Sequence, residues 1–397
     1  MKIDTSVDKI NELLTRGVDE VIVKDHLKNQ LQSGKKLRVK LGIDPTSPHL
    51  HIGRSIPLLK MRDFQELGHQ LVFIVGDSTG VIGDTSDKDS ERPMLAQKQV
   101  EENMKNYVAQ AGKIIDIKKC EVRYNSEWLN KLGHKEIGAQ AEQFSLHEFN
   151  ARENIKRRLD AGTRVSLREI LYPLMQGYDS VAVKADVELG GTDQRFNLLA
   201  GRTLQEFYKQ PPQDIVMGPL LEGTDGRKMS SSWGNTINLT DEPNEIFGKI
   251  MTIPDDLIIK YFTLTTRGSL TTIRAYAQAM QQGANPRDFK MKLGFELVRM
   301  YHSEKAAASA ENYFVSTFRD KEKPTDIPTF KLTKNDDIIS VLLESKLCLS
   351  RTEARRALAQ GGVYINDKRV GATDIWAKVR PDDVVQKGKR WFVRIKN

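Results

Sequence analysis

Two short polar segments, far apart in the chain, carry side chains suited to binding a polyphosphate. The first, 45–53, contains Thr46, His51 and Gly53, and the second, 228–232, places Lys228 beside three serines. Phosphate binding needs cations, hydroxyl donors and free backbone N–H groups, with glycine where the ligand must approach the main chain. Stabilising a departing phosphate group needs the same donors, fixed and aimed at the developing charge. Either segment alone is a weak signal, because a His-x-Gly turn or a serine-rich loop is common on protein surfaces.

A third group of polar residues lies on one stripe of a predicted helix. Tyr172, Gln176 and Asp179 are spaced at i, i+4 and i+7, which places them on the same helical face. Such a stripe can be ordinary core packing, but a buried aspartate needs a hydrogen-bond donor as its partner. The hydroxyl group of a phenol would be a donor of this kind.

The elements around the first segment follow a strand–helix–strand order. Apolar patterning predicts a strand over 37–43, a helix after Gly53 and a strand over 71–75 that is buried on both faces. Pro57 suits this helix only if it falls in the first turn, where its missing N–H is not required. A βαβ unit of this kind predicts an α/β fold with a Rossmann-like, doubly wound parallel sheet.

The rest of the chain is predicted to be mainly helical. Residues 1–33 have the spacing of a leading helical arm, 95–180 that of a helical insertion across the sheet, and 240–320 that of a helical region. The domain boundaries that we expect are an N-terminal arm and catalytic domain over 1–225, a loop and helical domain over 226–322, a linker over 323–333 and a small α+β domain over 334–397.

The positive charge of the chain is concentrated near its C-terminus. There are 61 Lys and Arg against 53 Asp and Glu, a net charge of +8. Residues 334–397 hold 14 of these cations and 8 of the acids, so the excess there is 14 − 8 = +6. This imbalance favours an acidic partner for the C-terminal region, such as nucleic acid.

Cysteine content and hydropathy exclude several classes of protein. The two cysteines, Cys120 and Cys348, are far apart and form no Cys-x-x-Cys pair, which argues against a disulfide scaffold and a thiolate zinc site. No apolar run approaches the ~18 residues that span a bilayer, and the N-terminus lacks the apolar core of a signal peptide. We therefore expect a soluble, cytoplasmic protein with no membrane partner.

In this order, the three groups resemble motifs of the class I aminoacyl-tRNA synthetases. The segment 45–53 is similar to the HIGH motif and 228–232 to the KMSKS motif, with Arg54 in place of the last His and Ser231 in place of the second Lys. Tyr172, Gln176 and Asp179 narrow the resemblance to the bacterial tyrosyl-tRNA synthetases, over nearly the whole chain. It implies that the chain activates L-tyrosine with ATP and transfers the tyrosyl group to tRNA(Tyr).

The resemblance also implies roles for individual residues. Those implied to stabilise the transition state of activation are Thr46, His51, Lys88, Arg92 and Lys228, of which Lys88 and Arg92 belong to a family-like segment over 83–92. Those implied to bind ATP are Gly42, Asp44, Gly53, Arg54, Gly191, Asp193, Lys228, Met229, Ser230 and Ser231. Those implied to bind tyrosine are Lys40, Asp84, Tyr172, Gln176, Asp179 and Gln194. Lys40 stands where many bacterial members have a tyrosine, so the partner of Asp179 on the substrate hydroxyl stays open.

The C-terminal region resembles a small RNA-binding module first known from a ribosomal protein. A helix ended by Gly361 and Gly362 is followed by a strand, and the residues implied to meet RNA phosphates are Arg351, Arg355, Lys368 and Arg369. The family resemblance further implies a homodimer, and ATP used as a substrate with Mg2+ and no protein-held metal.

Two alternatives are compatible with the same motifs. A tryptophanyl-tRNA synthetase shares the fold and the ATP motifs, but Asp179 and the C-terminal module argue against it. A non-catalytic RNA-binding paralogue would explain Arg54 and Ser231, but the retained residues argue against it: His51, Lys88, Arg92 and Lys228.

Overall fold

The chain forms two compact units in a computed structural model that describes residues 2–85, 94–318, 327–331, 337–371, 373–388 and 391–396. The first unit is Met1–Ala308 and the second is Ser309–Asn397. The predicted linker over 323–333 lies mostly outside the described residues.

Six strands of the first unit form one sheet in the order β1-β6-β5-β2-β3-β4. Neighbouring pairs from β6 to β4 run parallel, whereas β1 pairs with β6 in the antiparallel sense. The strands are β1 (Glu20–Ile22), β2 (Arg38–Ile43), β3 (Gln70–Val75), β4 (Cys120–Tyr124), β5 (Val187–Gly191) and β6 (Asp214–Gly218). This confirms the doubly wound α/β fold and the strands predicted over 37–43 and 71–75.

The connections of β2 create a crevice at one edge of this sheet. From β2 the chain crosses over α3 to β3 on one side, whereas β5 and β6 lie on the other side. Parallel sheets bind ligands where the strand order reverses in this way, outside the carboxyl ends of the strands. The residues that directly follow β2 and β5 therefore face the same crevice.

Helices surround the sheet and make up the rest of the unit. They are α1 (Val7–Leu13), α2 (Lys24–Gln32), α3 (Ile52–Glu66), α4 (Thr79–Ile82), α5 (Gln97–Met104), α6 (Tyr107–Ala111), α7 (Ser126–Leu129), α8 (His134–Ala141), α9 (Leu146–Asn150), α10 (Glu153–Asp160), α11 (Leu167–Val183), α12 (Arg195–Phe207), α13 (Pro243–Ile250), α14 (Ile258–Thr265), α15 (Leu270–Gln281) and α16 (Pro286–Tyr301). Helix α17 (Glu304–Phe318) contains the boundary between the units, and short 3-10 helices occupy 117–119, 192–194, 231–233 and 255–257.

Two predictions about these elements are wrong, and one strand was not predicted. The leading arm is not continuously helical, because β1 separates α1 from α2 and extends the sheet beyond β6. The insertion predicted over 95–180 is mostly helical, but it also contains β4, an edge strand whose residues are all half-buried, so that it carries charges and lacks a continuous apolar run. Pro57 lies in the second turn of α3. Since proline has no N–H, the carbonyl of Gly53 loses the intrahelical donor that residue 57 would supply.

Helix α11 is the element that positions the predicted tyrosine-binding stripe. It begins at a capping box in which Ser166 and Glu169 satisfy backbone groups of the first turn. It packs closely on α12 at Gly177, where a Cβ atom would lie 3.0 Å from the carbonyl atoms of Ala200. A larger residue at Gly177 would separate the helices and shift the whole stripe.

The second unit packs two helices on one face of a five-stranded sheet. The sheet order is β7-β11-β10-β8-β9, and the core contains Val341, Leu342, Leu358, Val385 and Ile395. The elements are β7 (Thr329–Lys331), α18 (Ile338–Glu344), α19 (Arg351–Ala359), β8 (Val363–Ile365), β9 (Lys368–Arg369), β10 (Val384–Lys387) and β11 (Trp391–Lys396). Among the described residues of the whole chain, no helix is long and apolar enough to cross a membrane.

Candidate active site

A cavity of about 700 Å³ opens at the carboxyl ends of β2 and β5. It lies in the crevice that the strand order creates, and the three polar groups of the sequence meet there. The predicted residues that line it are Gly42, Asp44, Thr46, His51, Gly53, Arg54, Asp84, Tyr172, Gln176, Asp179, Gly191, Asp193, Gln194, Lys228, Met229, Ser230 and Ser231. Lys88 and Arg92 lie outside the described residues.

His51 is a buried, neutral imidazole at the start of α3. Burial, together with the positive charges of Arg54 and Lys228, lowers the pKa of His51 to about 3. Its Nδ1 atom is buried and has no hydrogen-bond partner among the described residues. A neutral ring in this position can hydrogen-bond an anion without adding a charge. Gly53 makes room for it, since a Cβ atom there would lie 3.0 Å from His51 Nδ1.

Arg54 holds the turn that follows β2. Its guanidinium donates to the carbonyl of Asp44 at 3.1 Å and to Thr46 Oγ1 at 2.9 Å, and also to the hydroxyl of Tyr107 at 3.2 Å. The planar fork of an arginine can make all of these bonds at once, which a neutral imidazole cannot. The residue that departs from the HIGH motif is thus anchored to the turn that contains Asp44 and Thr46.

Asp44 and Tyr172 form a hydrogen-bonded pair on the cavity wall. The Tyr172 hydroxyl donates to Asp44 Oδ2 at 2.8 Å, and Thr79 Oγ1 donates to Asp44 Oδ1 at 2.7 Å. Loss of hydration raises the pKa of Asp44 to about 6, although both hydroxyl donors oppose this rise. Burial and the nearby carboxylates raise the pKa of Tyr172 well above 10. Tyr172 therefore remains a neutral hydroxyl with free acceptor capacity.

Asp179 is buried at 3% exposure and is held by two donors. The indole Nε1 of Trp128 donates to its Oδ1 at 2.8 Å, and Asn125 Nδ2 donates to its Oδ2 at 3.3 Å. Burial raises the pKa of Asp179 to about 7, against the lowering effects of Lys40, Trp128 and Asn125. Above pH 7, Asp179 is therefore mainly a carboxylate, held in a fixed position at the cavity. It can accept a hydrogen bond from a ligand but cannot donate one.

Trp128 and Asn125 were not predicted from the sequence. Asn125 directly follows β4, the strand that the hydrophobic pattern failed to indicate, and Trp128 lies on the next helix, α7. Had β4 been recognised, Asn125 would have stood out as a polar residue at the carboxyl end of a parallel strand. Trp128 carried no comparable signal.

Two further hydrogen-bonded pairs of polar side chains line the cavity, and each includes a residue that follows β5. Gln194 Nε2 donates to Asp84 Oδ2 at 2.7 Å, and Lys228 Nζ donates to Asp193 Oδ2 at 3.0 Å. Gly191 is needed here, because a Cβ atom would lie 2.5 Å from Asp193 Oδ1. The ammonium of Lys228 is partly exposed, so an anionic ligand in the cavity can compete with Asp193 for it.

The loop that contains Lys228 is organised by Asn235. The side-chain carbonyl of Asn235 accepts the N–H of Ser230 at 2.8 Å, and its amide donates to Asp225 Oδ1 at 2.8 Å and to the Lys228 carbonyl at 3.0 Å. Gly223 permits this packing, since a Cβ atom there would lie 2.4 Å from the backbone carbonyl oxygen of Asn235. Asn235, which was also missed from the sequence, fixes the backbone from which Lys228 extends.

Lys40 does not line the cavity, contrary to the sequence-based expectation. Its side chain is fully buried below the cavity floor, where Nζ donates to Glu188 Oε1 at 2.7 Å, Ser180 Oγ at 2.9 Å and the Gln176 carbonyl at 3.0 Å. The three donors of the ammonium are therefore already used within the protein. The positive charge of Lys40 lowers the pKa of Asp179, in opposition to the effect of burial.

The predicted RNA-binding residues lie in the second unit. Arg351 and Arg355 are exposed on α19, and Lys368 and Arg369 are exposed on β9. Gly361, with φ +68°, leaves space for the Arg369 guanidinium, which a side chain at that position would displace. Among the described residues, no group of three or more potential ligands could hold a metal ion.

In comparison with known proteins, two family models match successive parts of the chain. Residues 32–319 match the model for tRNA synthetases class I (W and Y), and 320–395 match the tyrosine–tRNA ligase SYY-like C-terminal domain. A tyrosine–tRNA ligase of Thermotoga maritima is 44% identical over 388 residues, which is 97% of this chain and 96% of that protein. One from Dehalococcoides mccartyi is 45% identical over 389 residues, or 97% and 98% of the two chains.

Solved structures share the fold at lower sequence identity. A truncated mitochondrial tyrosyl-tRNA synthetase of Aspergillus nidulans aligns with a TM-score of 0.66 at 21% identity, covering 78% of this chain and 94% of that one. The tyrosyl-tRNA synthetase of Archaeoglobus fulgidus, complexed with L-tyrosine, aligns with a TM-score of 0.61 at 21% identity, covering 78% and 100%.

The buried ion pair below the cavity leads to a prediction about stability. Lys40→Met leaves Glu188 without its countercharge, and we expect this to cost about 3–5 kcal/mol of unfolding free energy. The double variant Lys40→Met/Glu188→Gln removes both charges and should recover most of that loss. Urea unfolding of the full-length protein measures the difference, with Lys36→Met as a control because Lys36 is exposed. Equal losses in the single and double variants would contradict this account of the pair.

Proposed function

We propose a division of labour among the residues of this cavity, on the premise that the chain belongs to the class I tRNA synthetases and is a tyrosine–tRNA ligase. The enzyme uses ATP to activate tyrosine and then charges tRNA with it. The observation that carries the proposal is one cavity that joins a fixed, buried carboxylate, Asp179, to the two phosphate-binding segments. The near full-length match to tyrosine–tRNA ligases leaves the tryptophan alternative without support.

Asp179 is the proposed acceptor for the phenol hydroxyl of the substrate. Trp128 and Asn125 already donate to its two oxygens and hold the carboxylate in one orientation. Phenylalanine has no donor for it and would leave a buried acceptor unsatisfied. The α-ammonium of tyrosine would be bound at Tyr172, Gln176 and Asp84.

ATP would occupy the part of the cavity between α3 and the loop over 228–232. In the first step, a carboxylate oxygen of tyrosine attacks the α-phosphorus, a new O–P bond forms and the bond to pyrophosphate breaks. No protein nucleophile is needed, so the residues position the reactants and stabilise charge on the leaving group. Neutral His51 and the Thr46 hydroxyl are proposed to bind the phosphates of ATP, and Lys228 to move to them from Asp193.

Before ATP binds, Lys228 is paired with Asp193, and the phosphates of ATP would compete with this carboxylate for its ammonium group. Its 3.0 Å contact with Asp193 is a partly exposed ion pair, which is weak enough to be exchanged for a more highly charged partner. Asp193 is then free to accept from the ribose, the role proposed for it together with Gly191. In the second step, the terminal adenosine of tRNA attacks the tyrosyl carbonyl and AMP leaves.

Four further properties belong to the proposal. ATP would enter with Mg2+ as its counterion, the protein would act in the cytoplasm, and the chain would divide at 225, 322 and 333 into the domains predicted above.

The protein would also be a homodimer. Large apolar side chains on consecutive helices of the insertion support this, because they are exposed in the single chain: Leu146, Leu159, Leu167 and Leu171.

The first functional prediction concerns amino-acid discrimination. In Asp179→Asn, the amide places a donor beside the donors of Trp128 and Asn125, and it accepts a phenol hydroxyl less strongly than a carboxylate does. We expect the ratio of kcat/KM for tyrosine over phenylalanine to fall about 10- to 100-fold, the worth of a charge-assisted hydrogen bond. ATP–pyrophosphate exchange with each amino acid measures the ratio.

The pH dependence of that ratio provides the control. Because the pKa of Asp179 is about 7, lowering the pH from 8 to 6 protonates it and should reduce discrimination in the wild-type enzyme. The amide in Asp179→Asn does not titrate, so the ratio in the variant should be independent of pH over this range. A wild-type ratio that stays constant from pH 8 to 6 would contradict the titration of Asp179 in this range as the source of discrimination.

The second functional prediction concerns Lys228. Lys228→Ala should lower the rate of adenylate formation by about 10² or more and leave tyrosine affinity unchanged, because the contact forms as charge shifts to pyrophosphate. Stopped-flow measurement of adenylate formation separates the rate from binding. Arg227→Gln is the matched control, since Arg227 is bound to Asp225 and stacks over Trp233. Equal rates for Lys228→Ala and the wild type would refute the role.

A further inference from the structure

The sheet of the second unit has one face that does not contribute to its core. Side chains alternate between the faces of a strand, and Val363, Val385, Val393 and Ile395 face the helices. The intervening residues belong to the opposite side. This outer face, as we define it, consists of Thr329, Lys331, Tyr364, Arg369, Val384, Gln386, Phe392, Arg394 and Lys396.

The outer face is strongly basic. The five strands contain no Asp or Glu, and its four cations are all exposed. None of the four forms an ion pair with a carboxylate of the described residues. Lys331 and Lys396 are direct neighbours in the parallel pair of β7 and β11. Like charges directly opposite each other destabilise a sheet, and a polyanion bound across them would relieve the repulsion.

Two aromatic side chains lie in line across this face. Tyr364 on β8 and Phe392 on β11 both pair with Gln386 on the strand between them, and Arg369 pairs with Tyr364 at the other end. Both rings are half-buried and lie outside the hydrophobic core cluster. Flat apolar rings among cations offer a stacking surface for bases whose phosphates meet the cations.

We propose that the outer face binds an unpaired stretch of RNA. Tyr364 and Phe392 stack on bases, while Arg369, Arg394, Lys396 and Lys331 neutralise phosphates. Unpaired RNA is favoured over a duplex because paired bases do not expose their rings to stacking. The proposal rests on the proposed function only in naming tRNA as the source of the strand. It shares Arg369 with the RNA contacts that the family resemblance implies, and it adds a sheet surface distinct from Arg351 and Arg355, which lie on α19.

Direct RNA binding by the full-length protein tests this inference. The probes are a tRNA(Tyr) transcript, a single-stranded RNA oligonucleotide and its duplex, with affinity measured by fluorescence anisotropy across a salt series. Arg394→Gln/Lys396→Gln should reduce the slope of log K against log salt by about one to two for the single strand and the tRNA. Tyr364→Leu/Phe392→Leu should weaken single-strand binding about five-fold or more and leave duplex binding unchanged.

A matched control removes the same charge elsewhere in the unit. Lys346→Gln/Arg380→Gln takes away two exposed cations outside the five strands and should change the single-strand slope much less. If it changes the slope as much as Arg394→Gln/Lys396→Gln does, the proposal is overturned, because the effect is one of net charge. It is equally overturned if the aromatic variant binds single strands like the wild type, or if an acidic polypeptide competes as well as RNA.

Tyrosine-dependent exchange keeps this test separate from the proposed function. All variants should exchange at the wild-type rate, because their substitutions lie in the second unit and the cavity lies in the first. Absence of exchange in the wild type would count against the proposed function and leave the RNA measurements valid.

Discussion

Burial of charged groups beside and below the cavity is the constraint on which the site depends. Asp179 and Glu188 are 3% and 1% exposed, and Lys40 is fully buried between β2 and α11. A buried charge is tolerated only when it is paired and hydrogen-bonded. Lys40 neutralises Glu188, while Asp179 has neutral donors from Trp128 and Asn125. The difference matters, because only Asp179 retains capacity to accept from a ligand.

This constraint connects the fold to the chemistry. The strand order places the ends of β2 and β5 at one crevice, and α11 crosses it because Gly177 allows close contact with α12. The ammonium of Lys40 binds the backbone of α11 at Gln176, so the ion pair also fixes the stripe that carries Asp179. On the side of the cavity next to α3, burial keeps His51 neutral, and Arg54 holds the turn at Asp44 and Thr46. The site is organised before any substrate enters, which reduces the cost of orienting the reactants.

The sequence predicted the parts of this arrangement that depend on local patterns. Strands β2 and β3 were recognisable as apolar runs, and Tyr172, Gln176 and Asp179 share a stripe because helical spacing requires it. The rest depends on tertiary contacts. Trp128 donates a hydrogen bond to Asp179, although 51 residues separate the two in the sequence. It lies on the helix that follows β4, a half-buried edge strand with no clear hydrophobic pattern. Lys40 was expected in the pocket because of its position in a motif. Its actual direction is set by Glu188, which lies far along the chain on β5.

Tyrosine-dependent ATP–pyrophosphate exchange by the wild-type protein is the most direct test of the central claim. The account predicts exchange with tyrosine, far weaker exchange with phenylalanine, which lacks the donor for Asp179, and none above background with tryptophan. Tryptophan-dependent exchange, or exchange at equal rates with tyrosine and phenylalanine, would contradict the assignment of the pocket. Absence of exchange with every amino acid, in a folded protein that binds ATP, would contradict the assignment of the enzyme.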